Sequence, residues 1–227
     1  MTGLRARVRA ELTAEIKTAA RRQLAAEGAN LSLRAIAREL GMASSALYRY
    51  FASRDDLLTA LILEAYKAMG EAAERAEATV ARDDYAGRFS ACCHAVRDWS
   101  LAHPTEYALL YGGPVPGYAA PEATIGPANR PVAVLGSVLR DAVAAGVIEA
   151  APLPDPPELA ADLARVLADP HFAGIGEAAL LRGFHAWVQL YGAISFELFG
   201  RLDNVVTAQD AFFAGQVTAM TRYVLTG

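Results

Sequence analysis

The side chains most informative about chemistry lie between Ser32 and Leu58, in the segment SLRAIARELGMASSALYRYFASRDDLL. Within it, Arg49 stands between Tyr48 and Tyr50. An arginine can donate two parallel hydrogen bonds to the O6 and N7 atoms of guanine, and a tyrosine hydroxyl can bind a phosphate oxygen. The segment therefore favours a surface that contacts nucleic acid. An ordinary helical hairpin with a solvated face is the alternative.

Two short helices joined by a tight turn must position these side chains. Ser32 is a favourable N-cap for the first helix, and Gly41 can end that helix. The predicted buried wedge between the helices consists of Ile36, Leu40, Met42, Leu47 and Phe51. On a helical wheel of about 100° per residue, Ser45, Tyr48 and Arg49 point away from this wedge. The arrangement is typical of a helix-turn-helix.

The formal charge is distributed unevenly along the chain. The whole sequence has a net charge of -4, but residues 1–54 contain ten basic and four acidic side chains, which gives them +6. Residues 55–227 therefore carry -10. A basic N-terminal quarter is suited to a polyanion, although a solvated helix surface is the alternative explanation of such a charge run.

Composition and cysteine usage narrow the class of protein. With 227 residues, 54% of them hydrophobic and 20% charged, the chain can fill a core and is not expected to be disordered. No run reaches the roughly 18–20 apolar residues of a membrane-spanning helix, and the N-terminus lacks the apolar region of a secretory signal. The adjacent Cys92 and Cys93 cannot form a disulfide with each other that links distant segments of the chain. The protein is therefore expected to reside in a reducing cytoplasm.

Patterns for catalysis or metal binding are weak. The four histidines are scattered without paired ligand spacing; they are His94, His103, His171 and His185. The sequence also lacks a nucleophile elbow and a phosphate-binding loop. It therefore predicts a protein that is not an enzyme and that needs neither a metal nor a cofactor.

The spacing of apolar residues predicts an all-α protein, because helical periodicity recurs along the chain and no alternating strand pattern stands out. The predicted helices cover residues 7–27, 33–40, 43–51, 53–69, 84–102, 105–110, 132–145, 158–168, 176–199 and 205–226. Residues 112–131 hold five prolines and four glycines and are predicted to form a loop. Further prolines at residues 152–157 indicate a second break.

Residues 10–60 resemble the N-terminal signature of the tetracycline-repressor (TetR) family of transcriptional regulators. The matching pattern is Leu33-(x2)-Ile36-Ala37-(x2)-Leu40-Gly41-Met42-(x4)-Leu47-Tyr48-Arg49-Tyr50-Phe51-(x)-Ser53-Arg54-(x2)-Leu57-Leu58. The resemblance implies a three-helix helix-turn-helix DNA-binding domain over residues 1–54. It also implies a helical effector-binding and dimerisation domain over residues 55–227.

The function implied by this resemblance is that of a ligand-responsive regulator. Such a protein would be a homodimeric repressor that binds a palindromic double-stranded DNA operator and is released by a small apolar or aromatic effector. The alternative is a helical small-molecule-binding protein or enzyme whose N-terminal helices make a protein contact.

By position in the pattern, the resemblance assigns DNA contacts to eight residues. The expected phosphate contacts are Ser32, Tyr48, Tyr50 and Arg54. The expected readers of base edges are Arg34, Ser44, Ser45 and Arg49. Ala43 and Ala46 replace longer polar residues that are frequent in the family, so we expect thymine-methyl contacts and DNA shape to share the specificity.

The last two predicted helices are apolar around most of their circumference. Between Ala179 and Phe199, only Arg182 and Glu197 are formally charged. Because a helix that is apolar all round must be buried all round, we predict a two-fold interface of four helices, two from each copy. The alternative is a core formed entirely within one chain.

The resemblance also implies an effector pocket in the C-terminal part of the chain. Its candidate lining residues are aromatic side chains with polar tips and their neighbours: Trp99, His103, Tyr107, Tyr111, Phe184, Trp187 and Tyr191. Residues 187–192 further resemble the Trp-x3-His-Gly element of one TetR subfamily, with Tyr191 in place of the histidine. Each of these aromatic side chains could instead belong to the ordinary core.

Overall fold

The computed structural model describes residues 2–28, 30–148, 157–170 and 172–226. In these ranges the regular structure is helical and includes no strand, which confirms the predicted all-α class. The helices are α1 (Thr2–Glu27), α2 (Leu33–Glu39), α3 (Ser44–Leu47), α4 (Arg54–Glu77), α5 (Tyr85–Ala102), α6 (Pro104–Tyr111), α7 (Ile125–Ala144), α8 (Ala160–Leu167), α9 (Glu177–Leu198) and α10 (Gln209–Thr226). Short 3-10 helices at Glu122–Thr124 and Pro157–Leu159 precede α7 and α8. None of these helices is long and apolar enough to cross a lipid bilayer.

The chain packs as two compact units. Unit 1 comprises Met1–Ala65 and His103–Pro127, and unit 2 comprises Tyr66–Ala102 and Ala128–Gly227. The division falls within α4, at Ala65. The sequence-based boundary between residues 54 and 55 divides the chain by function and remains a prediction.

The core of unit 1 holds the two short helices against α1 and α4. Ile36 of α2, Leu47 of α3 and Leu57 of α4 have no exposed surface. Of the predicted wedge, Phe51 is also buried, and Leu40 and Met42 are partly buried against the same core. Full burial of an aliphatic side chain of this size stabilises a fold by about 1.5–3 kcal/mol.

Three helix bounds in the N-terminal region differ from their predictions. Helix α1 begins at Thr2 instead of residue 7, and α4 continues to Glu77 instead of ending near residue 69. The extension of α4 is rich in Ala and Glu, which favour a helix without forming an apolar stripe, so periodicity underestimates it. Helix α3 ends at Leu47 instead of residue 51, because the chain tightens there and the Tyr50 N–H donates to the Leu47 carbonyl at 2.8 Å.

The predicted loop over residues 112–131 is partly wrong. Helix α7 begins at Ile125 and takes Pro127 into its first turn, where a missing N–H costs no helical hydrogen bond. Pro131 lies inside the helix and is buried, so the packing of α7 compensates one lost backbone bond. Of the predicted break at residues 152–157, the first five residues lie outside the described ranges.

Unit 2 contains two ion-pair networks, each centred on a buried arginine. The Arg97 guanidinium donates to Glu197 at 2.7 and 2.5 Å and to Asp210 at 2.7 Å. These hydrogen bonds, Glu197 first, outweigh the effect of burial and raise the pKa of Arg97 above its ordinary value. Arg88 donates to Glu77 and Asp141 at 2.6 Å each. Each network ties together helices that are distant in sequence.

The two cysteines are buried inside unit 2, and we expect them to be unreactive in the folded protein. Burial raises the pKa of the Cys92 thiol to about 12 and that of Cys93 well above its usual value. Because only the thiolate attacks a disulfide reagent, a thiol assay with Ellman's reagent at pH 8 should detect neither cysteine in the native chain. Both should react after unfolding in guanidinium. Rapid reaction of two thiols in the native protein would contradict this burial.

Candidate nucleic-acid interface

Hydrogen bonds fix both the start of α2 and the turn between α2 and α3. The Ser32 hydroxyl accepts from the Ala35 N–H at 3.3 Å, and the Ser32 N–H donates to the Gln23 amide oxygen of α1 at 3.0 Å. After α2, Gly41 adopts φ +64°, a left-handed conformation that favours glycine. The Met42 N–H then donates to the Ala37 carbonyl at 2.8 Å. The left-handed conformation of Gly41 and the Met42 hydrogen bond set the angle at which α3 follows α2.

The side chains predicted to read base edges lie on the exposed side of this helix-turn-helix. Arg34 of α2 and Ser44, Ser45 and Arg49 at α3 are all exposed. Tyr48, a predicted phosphate contact, is 45% exposed. Among the described residues, no ion pair engages the guanidinium groups of Arg34 and Arg49. Both groups can therefore donate to a duplex without first breaking an internal bond.

The other three predicted phosphate contacts are partly engaged within unit 1. Ser32 uses its hydroxyl as the cap of α2. Tyr50 is half-buried, and the Arg9 guanidinium lies 5.3 Å from its ring centroid. The Arg54 Nη1 lies 3.4 Å from the Asp55 carboxylate and 3.5 Å from the Pro116 carbonyl. A phosphate would compete with these partners, and the DNA roles of the three residues remain predictions.

Arg9 is a residue that sequence reasoning did not single out. Its Nη2 donates to the Arg49 carbonyl at 3.3 Å, while its guanidinium covers the Tyr50 ring. It thus connects α1 to the chain that follows α3. Forty residues separate the two partners, so no local pattern could reveal the contact.

Internal ion pairs neutralise several of the basic side chains of unit 1. Lys17 and Arg21 both bind Glu64, and Arg22 binds Glu39. In the part of unit 1 that is described, the arginine side chains outside any ion pair are Arg5, Arg9, Arg34, Arg38 and Arg49. Arg34 and Arg38 are exposed on α2, Arg49 is exposed just after α3, and Arg9 donates to the Arg49 carbonyl. Four of the five arginines therefore lie at or next to the helix-turn-helix.

Comparison with known proteins decides the family. Residues 16–61 match the family described as "Bacterial regulatory proteins, tetR family", and residues 89–220 match "Tetracyclin repressor-like, C-terminal domain". The HTH-type transcriptional regulator Rv1816 of Mycobacterium tuberculosis is 39% identical over 201 residues, which cover 88% of this chain and 86% of that protein. The chain belongs to the TetR family of transcriptional regulators. The resemblance of residues 10–60 to that family is therefore confirmed.

Solved structures of related proteins share the TetR-type fold. SCO4313, described as a candidate regulatory protein, is 34% identical with a TM-score of 0.77, and the match covers 95% of this chain and 97% of that one. RolR, solved in complex with its ligand resorcinol, is 18% identical with a TM-score of 0.52. The match covers 97% of this chain and 96% of the RolR chain. At that identity, RolR is evidence for the fold alone.

The residues predicted to bind an effector are distributed over both units of this TetR-family regulator. In unit 1, His103 is exposed, and the rings of Tyr107 and Tyr111 lie 5.1 Å apart. In unit 2, Trp99 is buried, and the buried Tyr191 hydroxyl donates to the Met69 sulfur at 3.5 Å. The remaining two, Phe184 and Trp187, line a cavity.

The cavity in unit 2 has a volume of about 270 Å³. It is lined by Asn129, Val132, Arg165, Val166, Asp169, Phe172, Phe184 and Trp187. Six of these eight residues were missed by sequence reasoning. These six come from α7, from α8 and from the turn after α8, and no spacing in the sequence connects those elements with the α9 residues Phe184 and Trp187.

Arg9→Ala is expected to weaken binding to a mixed-sequence duplex by about 3- to 10-fold, the effect of losing one hydrogen bond that positions α3. Arg7→Ala is the matched control, because it removes the same charge from the same helix, where Arg7 binds only Glu11 among described residues. Fluorescence anisotropy at fixed salt gives both affinities. Equal losses in the two variants would mean that Arg9 acts through charge alone.

Proposed function

We propose that this regulator is a repressor that binds a palindromic operator as a homodimer and is released by a small apolar or aromatic effector. The observation that carries the proposal is that Arg34 and Arg49 are exposed and form no ion pair with any described residue, beside Ser44, Ser45 and Tyr48 on the helix-turn-helix. In this proposal residues 1–54 bind DNA, and residues 55–227 bind the effector and dimerise. The protein acts on DNA in the cytoplasm and has no catalytic role.

Exposed apolar side chains on the last two helices support a dimer. Val188 is 64% exposed and Phe196 is 56% exposed on α9, and Phe212 is exposed on α10. A Cβ added at Gly192 or Gly215 would meet only open space, so a second backbone could approach closely there. Apolar surface of this kind favours burial in an interface. The assembly would be the predicted four-helix interface of two copies.

Not all of the apolar residues that prompted the dimer prediction support it. Phe213, Val217, Met220 and Val224 of α10 are buried inside unit 2 of a single chain. For these four residues the alternative, an intramolecular core, is correct. The candidate interface is instead the opposite, exposed side of the same helix.

An effector would act by binding two states of the regulator with different affinity. Release from DNA requires that the effector prefer the state that does not bind the operator, and the difference in affinity limits the size of the effect. The cavity of unit 2 offers a place for such a molecule. Resorcinol in RolR is a ligand of that protein, and the proposal for this chain rests on its own cavity.

Selection from a library of randomised duplexes tests the proposal. The purified protein should enrich a sequence with two-fold symmetry, with half-sites about 34–36 Å apart or a multiple of that spacing. Symmetry is expected because each copy presents the same helix-turn-helix. Recovery of unrelated sequences at every round, with binding that is lost uniformly as salt rises, would contradict a specific operator.

A further inference from the structure

The first turns of α1 extend beyond the core of unit 1. Residues 3–11 are all exposed, whereas Ile16, Ala19 and Ala20 farther along the same helix have no exposed surface. An ordinary surface helix buries one stripe of side chains, so exposure on every side means that these turns project from the unit. At about 1.5 Å per residue they span roughly 13 Å. We call residues 3–11 the projecting segment.

Arg9 ties the projecting segment to the residue predicted to read a base. Its guanidinium donates to the Arg49 carbonyl at 3.3 Å and lies 5.3 Å from the centroid of the Tyr50 ring. Arg5 precedes Arg9 by one helical turn, so the two side chains share a face of α1 and lie about 6 Å apart along its axis. Arg5 therefore extends the positive surface of the helix-turn-helix by one turn.

The free charge of the projecting segment lies on this one face. Arg5 is exposed and forms no ion pair with any described residue. Arg7 is different, because it pairs with Glu11 at 2.9 Å. At about 100° per residue, Arg7 also lies about 200° around the helix from both Arg5 and Arg9. The unpaired arginines thus face the side of α1 that adjoins Arg49.

The exposed apolar side chains of the projecting segment do not favour a protein partner. Leu4 is 72% exposed and Val8 is 45% exposed. A specific protein interface buries about 1,200–2,000 Å² in total, far more than two aliphatic side chains provide, and isolated exposed apolar residues are common on protein surfaces. The unpaired arginines, in contrast, continue the surface that bears Tyr48 and Arg49, so the complementary partner is the same polyanion.

We propose that the projecting segment contacts the phosphate backbone of DNA outside each operator half-site, with Arg5 bound to a phosphate. Phosphates of one strand follow one another at about 3.4 Å along the duplex axis, so a reach of about 6 Å beyond Arg9 extends the contact by up to about two base pairs. A phosphate contact carries no direct base preference. This inference rests on the proposed function, since the helix-turn-helix must bind DNA.

Duplexes of two lengths test the proposal. One duplex ends at the outermost base pair that selection specifies, and the other continues for one further helical turn on each side. Anisotropy titrations at several salt concentrations give the slope of log affinity against log salt. For the native chain the longer duplex should give a slope that is steeper by about 2, one phosphate contact for each of two copies. Exchanging the flanking bases should change the affinity by less than about twofold.

Three variants show whether this difference in slope comes from Arg5. Arg5→Ala should give the same slope on both duplexes, and Arg5→Lys should restore most of the difference, because an ammonium group also binds phosphate. Arg7→Ala is the matched control, since it removes the same charge from the opposite face of the segment. It should keep the native difference. Comparing variants also corrects for the general effect of duplex ends, and circular dichroism confirms that each variant is folded.

The inference is overturned if the native chain gives the same slope on both duplexes, or if Arg5→Ala and Arg7→Ala change the slopes equally. In either case a selected operator would leave the repressor proposal intact. If selection recovers no operator, the repressor proposal fails, and slopes on a mixed-sequence duplex then test Arg5. A slope lowered by Arg5→Ala and not by Arg7→Ala would support the phosphate contact, and equal slopes would overturn it.

Discussion

Arg49→Ala is expected to lower the affinity for the selected operator by about tenfold or more and to relax base preference at one position of each half-site. The reason is that one bidentate contact between an arginine and a base contributes about 1–3 kcal/mol of discrimination. Arg49 is exposed and among the described residues its guanidinium has no ion-pair partner, so the substitution removes no internal contact of that group. Anisotropy titrations of the operator and of single-base variants give both quantities.

Arg22→Ala is the matched control for Arg49→Ala. Arg22 is also an exposed arginine of unit 1, but it binds Glu39 at 2.5 Å. Its loss should change operator affinity by less than about threefold and leave base preference intact, because exposed ion pairs contribute little. If Arg49→Ala behaves like Arg22→Ala, then Arg49 contributes charge only and does not read a base.

Val188→Glu is expected to convert the dimer to a monomer and thereby to abolish tight operator binding. Val188 is an exposed apolar side chain at the middle of α9, and in the proposed interface a carboxylate there would be buried against the second copy. Sedimentation velocity at micromolar concentration should show half the mass of the native protein. Operator affinity should fall with the mass, because two half-sites can no longer be bound together.

Val147→Glu controls for the added charge and the lost apolar side chain. Val147 is 46% exposed and follows α7, outside the proposed interface. This variant should remain dimeric and should bind the operator as the native protein does. If the Val188→Glu protein is folded and keeps the native mass, then α9 is not part of the dimer interface.

Periodicity and glycine placement were sufficient to predict the helix-turn-helix. Ile36 and Leu47 are buried and Gly41 has a positive φ, as the pattern requires. The sequence could not determine which side of α10 faces its own chain, because apolar residues surround most of that helix. Phe213 illustrates this limit: it is only 2% exposed, so its replacement by a charged residue would test folding instead of assembly.

The remaining features depend on contacts that are distant in sequence. The cavity combines residues from α7, α8 and α9 and the turn between the latter two, and Arg9 meets Arg49 across forty residues. The start of α7 was missed because proline signals a loop in sequence, whereas packing within the structure holds Pro131 in a helix. Local patterns contain none of this information.

The central claim is that the exposed face of α2 and α3 contacts DNA, and a crystal structure of the dimer with its selected operator tests it most directly. We expect the Arg49 guanidinium within about 3.2 Å of a base edge in the major groove and the Tyr48 hydroxyl at a similar distance from a phosphate oxygen. A complex in which the duplex lies against another surface, with Tyr48 and Arg49 still in solvent, would contradict the claim.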